Sequence, residues 1–327
     1  MLSKLQKVNR AAMELAMRIV TVINKWWECE PAIAAMLNSN AWPSGDTIWP
    51  KVLNSPLQRP SGKAPPWIKP RAVFQYNNFE LEVWCISDLL NDAPGACQSS
   101  SSVKSLRLPQ IFATGSSPDL VVAVGTASSA TETPNRNGGV AIGTSVFLHD
   151  AHPDGENPSS TWKGPTDQLI TSSISPKLFG QLVAFDAGSA LLHFLPVKRN
   201  PSDSPVVTAG IADVALGTLN VTNYGDYKFK DPETVAAFMA AGHPARPASV
   251  ETTHGLIRLA CTDAPFLFVS AITDRFTYFD GDVSGVPMND AQNTPAAYNA
   301  GITLRRMFAN LDSSFSAKPA DPCIPPS

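Results

Sequence analysis

The chain has 327 residues, of which 43% are hydrophobic, enough to bury one large core. Its 25 basic and 28 acidic residues leave a net charge of −3, and no basic run interleaves with aromatics, which argues against a nucleic-acid partner. Lys4, Lys7, Arg10, Glu14 and Arg18 interrupt the N-terminal apolar pattern, which argues against a membrane span or signal peptide and points to a cytoplasmic protein.

Leu5, Val8, Ala12, Leu15, Ile19, Val22, Ile23 and Trp26 recur at three- and four-residue steps, which predicts an amphipathic helix. Trp42 to Pro70 follows, where Pro43, Pro50, Pro56, Pro60, Pro65, Pro66 and Pro70 break any regular element, so residues 1–70 read as a helical arm with a Pro/Trp-rich connection. Regular structure begins with a hairpin: Ala72–Tyr76, the turn pair Asn77-Asn78, then Phe79–Ile86. Strands are expected at Leu120–Val124, Val140–Leu148, Val206–Gly210 and Leu216–Val221. Asp231-Pro232-Glu233 carries a capping Asp, Pro at the first helical position and an acid in the first turn, predicting a helix that stops at Gly242. Glu251 opens a further short helix, and the apolar run Pro265–Ile272 leads to Asp274. The last helix starts at Thr294-Pro295 and buries Ala297, Gly301, Leu304 and Phe308. These elements describe an α/β protein: a single domain over 71–312 with a central mixed β-sheet flanked by helices, an N-terminal helical arm, and an irregular tail over 313–327.

The five cysteines, Cys29, Cys85, Cys97, Cys261 and Cys323, are scattered and form no CxxC pair, so they read as reduced thiols, with Cys85 and Cys261 in the core. His149 and His152 are spaced as a metal pair but have no third ligand in view, so neither a metal nor another cofactor is expected.

In an open α/β sheet, ligands bind at the carboxyl ends of the strands, which is where Asp274 stands. Glu251 and Asp274 together bring two acids to one region. Each has a plainer use: Glu251 as a first-turn acid favoured by the helix dipole, Asp274 as a turn residue closing a strand. Thr126 equally fits a turn, Phe229 a core aromatic, and His254 a core or surface histidine.

Four segments in order carry a resemblance. They are Leu120 to Ser128, a strand leading into Gly125-Thr126-Ala127; Tyr224 to Phe229; Glu251; and Pro265 to Asp274. The chain resembles the nucleoside phosphorylase and nucleosidase superfamily, most of all the methylthioadenosine/S-adenosylhomocysteine nucleosidases. The resemblance implies that Asp274 is the acid that protonates a departing purine and that Glu251 accepts hydrogen bonds from the ribose hydroxyls. Gly125 and Thr126 would hold a water or an anion, and Thr273 would brace Asp274. Tyr227, Lys228, Phe229 and Val250 would surround the base, with Lys228 standing where the nucleosidases stack a Phe.

The expected function is therefore a nucleosidase-like hydrolase acting on a purine nucleoside or nucleotide derivative, assembled as a homo-oligomer. The alternative is a non-catalytic nucleoside sensor or scaffold. A purine nucleoside phosphorylase is disfavoured because Ala123 stands where that branch carries a phosphate-binding Arg. The nucleosidases open with a strand ending in Gly-Ala-Met and then a Glu that activates water. No such segment is recognised before Ala72, which leaves the general base unassigned.

Overall fold

A computed structural model describes residues 17–37, 70–76, 78–89, 108–113, 116–130, 137–149, 167–185, 191, 207–210, 218–221, 227–242, 247–251, 253–275, 282 and 293–312. In chain order the elements are β1 (Met17–Ile23), α1 (Trp26–Leu37), β2 (Ala72–Gln75), β3 (Phe79–Cys85), α2 (Ile86–Leu89), α3 (Pro109–Phe112), β4 (Leu120–Ser129), β5 (Val140–Gly143) and β6 (Ser145–His149). Then come β7 (Gln168–Thr171), α4 (Pro176–Leu182), β8 (Val207–Gly210), β9 (Thr218–Val221), α5 (Tyr227–Ala240), β10 (Ser249–Glu251), α6 (His254–Ala260), β11 (Phe266–Arg275) and α7 (Thr294–Ala309). The eleven strands make one mixed sheet, ordered β2-β3-β1-β4-β10-β9-β6-β7, with β11 pairing β4 and β5, and β8 pairing β5.

The expected N-terminal helix is corrected over Met17–Ile23, which is a strand lying parallel between β3 and β4. The sheet thus takes a strand from the segment read as an arm. The reason is burial on both faces. Ile19 and Ile23 pack with α1 and α7 on one side, while Val20 and Val22 pack with α6 on the other. A strand covered on both faces shows no alternation, and its β-branched run can be mistaken for the continuation of a helical stripe. Residues 1–16 and the Pro/Trp-rich segment over 42–69 lie outside the described residues, as does the tail beyond 312.

The hairpin is present: β2 and β3 are antiparallel, and the Tyr76 N–H donates to the Phe79 carbonyl at 2.9 Å. Three strand or helix bounds differ from expectation. The Val140–Leu148 run is divided at Thr144 into β5 and β6, which pair with different neighbours. β4 continues through Gly125 and Thr126 to Ser129 because β11 pairs along most of its length. α5 begins at Tyr227, ahead of the Asp231-Pro232 capping signal, so Pro232 forgoes one hydrogen bond inside the helix.

α7 begins at Thr294 with Pro295 in its first turn, as expected. It crosses α1 closely: a Cβ added to Gly301 would lie 2.3 Å from the Ala32 carbonyl oxygen and 2.7 Å from the Ala35 Cβ. Small residues at that crossing hold α1 against the body of the protein, and with it the side chains of its first turn.

Candidate active site

β4 frames the site. On one edge it pairs with β11; on the other it pairs with β1 over Leu120–Val124 and with β10 at Ser128 and Ser129. β1 is parallel to β4 and β10 antiparallel, so their carboxyl ends run toward each other along the same edge. Between those two ends, at Gly125 and Thr126, carboxylates take the place of a strand.

Glu28 comes from the β1 side, on the first turn of α1. Its Oε1 accepts from the Thr126 main-chain N–H at 2.9 Å and from the Thr126 hydroxyl at 2.6 Å, and its Oε2 accepts from the Lys25 N–H at 2.9 Å. The carboxyl group thereby satisfies an N–H that a ladder partner would otherwise have taken. Burial pushes Glu28 up to about 7, against the Thr126 hydrogen bonds that favour the ionised form; the neighbouring Glu251 charge adds to the rise.

Glu251 arrives from the other side as the last residue of β10. A Cβ on Gly125 would sit 2.9 Å from its Oε1, so the bare backbone of Gly125 is what admits this carboxylate. Glu251 also caps α6. Its Oε2 accepts from the N–H groups of Thr253 at 2.5 Å and His254 at 2.8 Å, and its Oε1 from the Thr253 hydroxyl at 2.6 Å. The helix-terminus use read from sequence is thus realised by a residue that precedes the helix rather than opening it, and it leaves the carboxylate beside Gly125.

Asp274 lies near the end of β11, where a bulge between Ile272 and Asp274 shifts the register against β4. Its Oδ2 accepts from the Ser128 hydroxyl at 3.0 Å, and the Thr273 hydroxyl donates to Oδ1 at 2.5 Å. Burial raises Asp274 to about 7, overcoming the hydrogen bonds from Thr273 and Ser128, with the charge of Asp282 adding to the rise. Thr126 and Ser128 are two positions apart, about 7 Å along a strand, so Glu28 and Asp274 are anchored at the two ends of that short stretch.

Among the described residues, two basic side chains stand near these acids. Lys25, half-buried, has its ammonium held below its ordinary value by burial, opposed by the charges of Glu28, Cys85 and Glu251. His254 is buried, stacked on Phe268 with ring centroids 5.6 Å apart, and its Nε2 is 3.8 Å from Glu251 Oε2. Burial lowers its pKa against the pull of Glu251, so the ring is neutral at pH 7.

The other expected site residues fall differently. The Thr126 hydroxyl, read as a holder of water or an anion, is given to Glu28. The Val250 side chain enters an apolar cluster with Phe147, Val235 and Phe238, leaving its backbone as the part beside Glu251. Tyr227, Lys228 and Phe229 form the first turn of α5, whereas Tyr224 to Asp226 lie outside the described residues. Glu28 was not foreseen. The available signal was the β-branched run Ile19-Val20-Thr21-Val22-Ile23, a buried strand with an acid shortly beyond its end. Among the described residues no group of three His, Cys, Asp or Glu side chains is placed to hold a metal, and His149 pairs instead with Asp167 at 2.5 Å.

No family model matches this sequence, and no curated protein matches it. Solved structures do. The Arabidopsis thaliana 5′-methylthioadenosine nucleosidase in its apo form is 16% identical with a TM-score of 0.51, covering 92% of this chain and 96% of that one. This chain shares the fold of that protein. Two further structures share the nucleosidase fold. One is the S-adenosylhomocysteine nucleosidase of Streptococcus pyogenes with 5-methylthiotubericidin, at 13% identity and TM-score 0.50, covering 90% of this chain and 97% of that one. The other is the nucleosidase of S. pneumoniae with a transition-state inhibitor, at 12% identity and TM-score 0.50, covering 90% of this chain and all (100%) of that one. Among the described residues no helix is long and apolar enough to cross a membrane.

Proposed function

We propose that the protein is a purine nucleosidase-type hydrolase, with Glu28 as the general base, Asp274 as the general acid and Glu251 as the ribose clamp. The observation that carries this reading is the pair of buried carboxyls, Glu28 and Asp274, each raised to about 7 and anchored two positions apart on β4. Two carboxyls titrating near neutral pH can be present one ionised and one protonated, which is what base and acid in one reaction require.

In the reaction, Asp274 gives its proton to the purine ring as the C1′–N bond breaks, so the base leaves without full negative charge. Ionised Glu28 takes a proton from the water whose oxygen joins C1′. Glu251 accepts from the ribose 2′ and 3′ hydroxyls, and its charge favours the positive character that develops on the sugar. The cycle closes when the proton on Glu28 is lost to solvent and Asp274 regains one. Each proton-transfer group is worth about 10²–10⁴-fold in rate. Hydrolysis is favoured over phosphorolysis because Ala123, at the position of the phosphorylase Arg, is buried in an apolar cluster. Lys25 adds a cation beside Glu28 and Glu251 that suits a phosphorylated ligand. The proposed setting is a cytoplasmic homo-oligomer.

The test is chromatography of purified protein incubated with a panel of purine nucleosides and nucleotides. Release of free base, lost in Glu28→Gln and in Asp274→Asn, is the expected result. Base release unchanged in both variants would overturn the assignment, and ligand binding by calorimetry without any base release would favour the sensor.

A further inference from the structure

Asp282, beyond β11 in the chain, is a buried carboxylate that has no part in the reaction described above. Asp282 is fully buried (0% exposed) and accepts four hydrogen bonds from Arg275 and Asn137. Its Oδ2 takes the Arg275 N–H at 3.0 Å, the Arg275 Nε at 3.0 Å and the Asn137 Nδ2 at 3.1 Å, and its Oδ1 takes the Arg275 Nη2 at 2.7 Å. Arg275 is the residue after Asp274. On the other side of the bulge, the Gly138 N–H donates to the Ile272 carbonyl at 2.8 Å and the Ile272 N–H to the Gly139 carbonyl at 2.9 Å. Asn299 of α7 fixes the same turn by donating to the Gly138 carbonyl at 2.9 Å. The irregular segment that presents Asp274 is therefore pinned before and after by one connected network.

We infer that the Arg275–Asp282 ion pair is a clamp that positions Asp274 and tunes its acidity. The inference rests on the reading of Asp274 as the leaving-group acid. The fork of the guanidinium on the carboxylate is the directional kind of ion pair, and its main-chain bond from Arg275 ties the backbone next to Asp274 as well as the side chain. The charges around Asp274 make the tuning specific. On β11 itself stand Thr273 and Arg275; from β4 comes the neutral hydroxyl of Ser128; Asn137 is neutral; and β5 carries no titratable side chain. β10 brings Glu251, whose carboxylate is engaged with the first turn of α6. α7 brings Tyr298, Arg305 and Arg306, and Arg305 feels the charges of Arg306, Tyr76 and Tyr298. Burial raises Asp274 most, and the charge of Asp282 adds to the rise. Burial would raise Asp282 too, but its hydrogen bonds from Arg275 and Asn137 hold it below the ordinary carboxylate value, so it is ionised wherever Asp274 titrates.

The two partners then act on Asp274 with opposite sign. In Asp282→Asn the negative charge is lost while the Arg275 cation stays, so the acid is easier to ionise. In Arg275→Gln the cation is lost while the Asp282 charge stays, so the acid is harder to ionise. A merely structural brace would move both variants alike. The experiment is a titration of the full-length protein labelled with ¹³C at the aspartate carboxyls, followed by NMR, with the Asp274 signal assigned by its loss in Asp274→Asn.

The expected midpoint falls by about one pH unit in Asp282→Asn and rises in Arg275→Gln. A midpoint that stays put in both, or that moves the same way in both, overturns the clamp. If Asp282→Asn does not fold, Arg275→Gln decides alone: a rise supports the clamp, and an unchanged or lower midpoint overturns it. No substrate is needed, so a protein that releases no purine base would sink the hydrolase reading without touching this result.

Discussion

Thr126 donates twice to one oxygen of Glu28, through its main-chain N–H at 2.9 Å and its hydroxyl at 2.6 Å. Both bonds favour the ionised carboxylate and oppose the effect of burial. Thr126→Val keeps the shape and the N–H but removes the hydroxyl. The pKa of Glu28 is expected to rise above about 7, so the acid limb of base release moves to higher pH and the rate at pH 7 falls about tenfold. The check is the pH profile of kcat/KM; a rate loss with an unmoved limb would mean that the hydroxyl does not act on Glu28.

The two limbs of that profile belong to different residues. Glu28 must be ionised, so activity is lost below its pKa of about 7, and Asp274 must be protonated, so activity is lost above its pKa of about 7. The wild-type profile is expected to be a narrow bell near neutrality. In Glu28→Gln the residual activity keeps only the fall at high pH, and in Asp274→Asn only the fall at low pH. Residual profiles with the limbs exchanged would reverse the acid and base assignments.

Gly125→Ala places a methyl 2.9 Å from Glu251 Oε1, close enough that the carboxylate must move. Glu251 is the proposed ribose clamp, so KM for a nucleoside is expected to rise about tenfold or more while the acid limb set by Glu28 stays in place. The ratio of KM to kcat effects, compared with Glu251→Gln, checks it.

Gly301→Ala tests the scaffold rather than the chemistry. Its added Cβ would meet main-chain atoms of Ala32 at 2.3 and 2.8 Å, which a rotamer change cannot relieve. Forcing α1 and α7 apart is expected to cost about 1–3 kcal/mol in denaturant unfolding. Because α1 carries Glu28, activity is expected to fall further than in a surface variant of equal stability.

Stability itself depends on the two raised carboxyls. Their folded pKa values of about 7 lie above those of the unfolded chain, so the native state binds more protons in between. The stability they support is complete below about pH 4 and is lost as pH rises through about 7, by about 4 kcal/mol per group, superimposed on other titrations. Glu28→Gln and Asp274→Asn are each expected to flatten the decline in unfolding free energy between pH 5 and pH 8. An undiminished decline in both would show that neither group is held protonated in the folded state.

Much of this protein is written in local sequence. The hairpin at Asn77-Asn78, the Pro295 start of the last helix and the buried run of β11 ending in a carboxylate are set by turn chemistry, proline's fixed geometry and a continuous apolar stretch, all of which act over a few residues. Asp274 and Glu251 were legible for the same reason, each standing at the end of a recognisable element. What local pattern could not decide was which side each residue faces and what covers it. β1 reads as a helical stripe because both of its faces are buried, a condition created by α1 and α7 on one side and α6 on the other. Glu28 enters the site only because β1 and β10 run toward each other along one edge of β4 and stop short of Gly125 and Thr126. That opening lets a carboxylate bond an unpaired N–H from a residue 98 positions away, and only the packed sheet could create it.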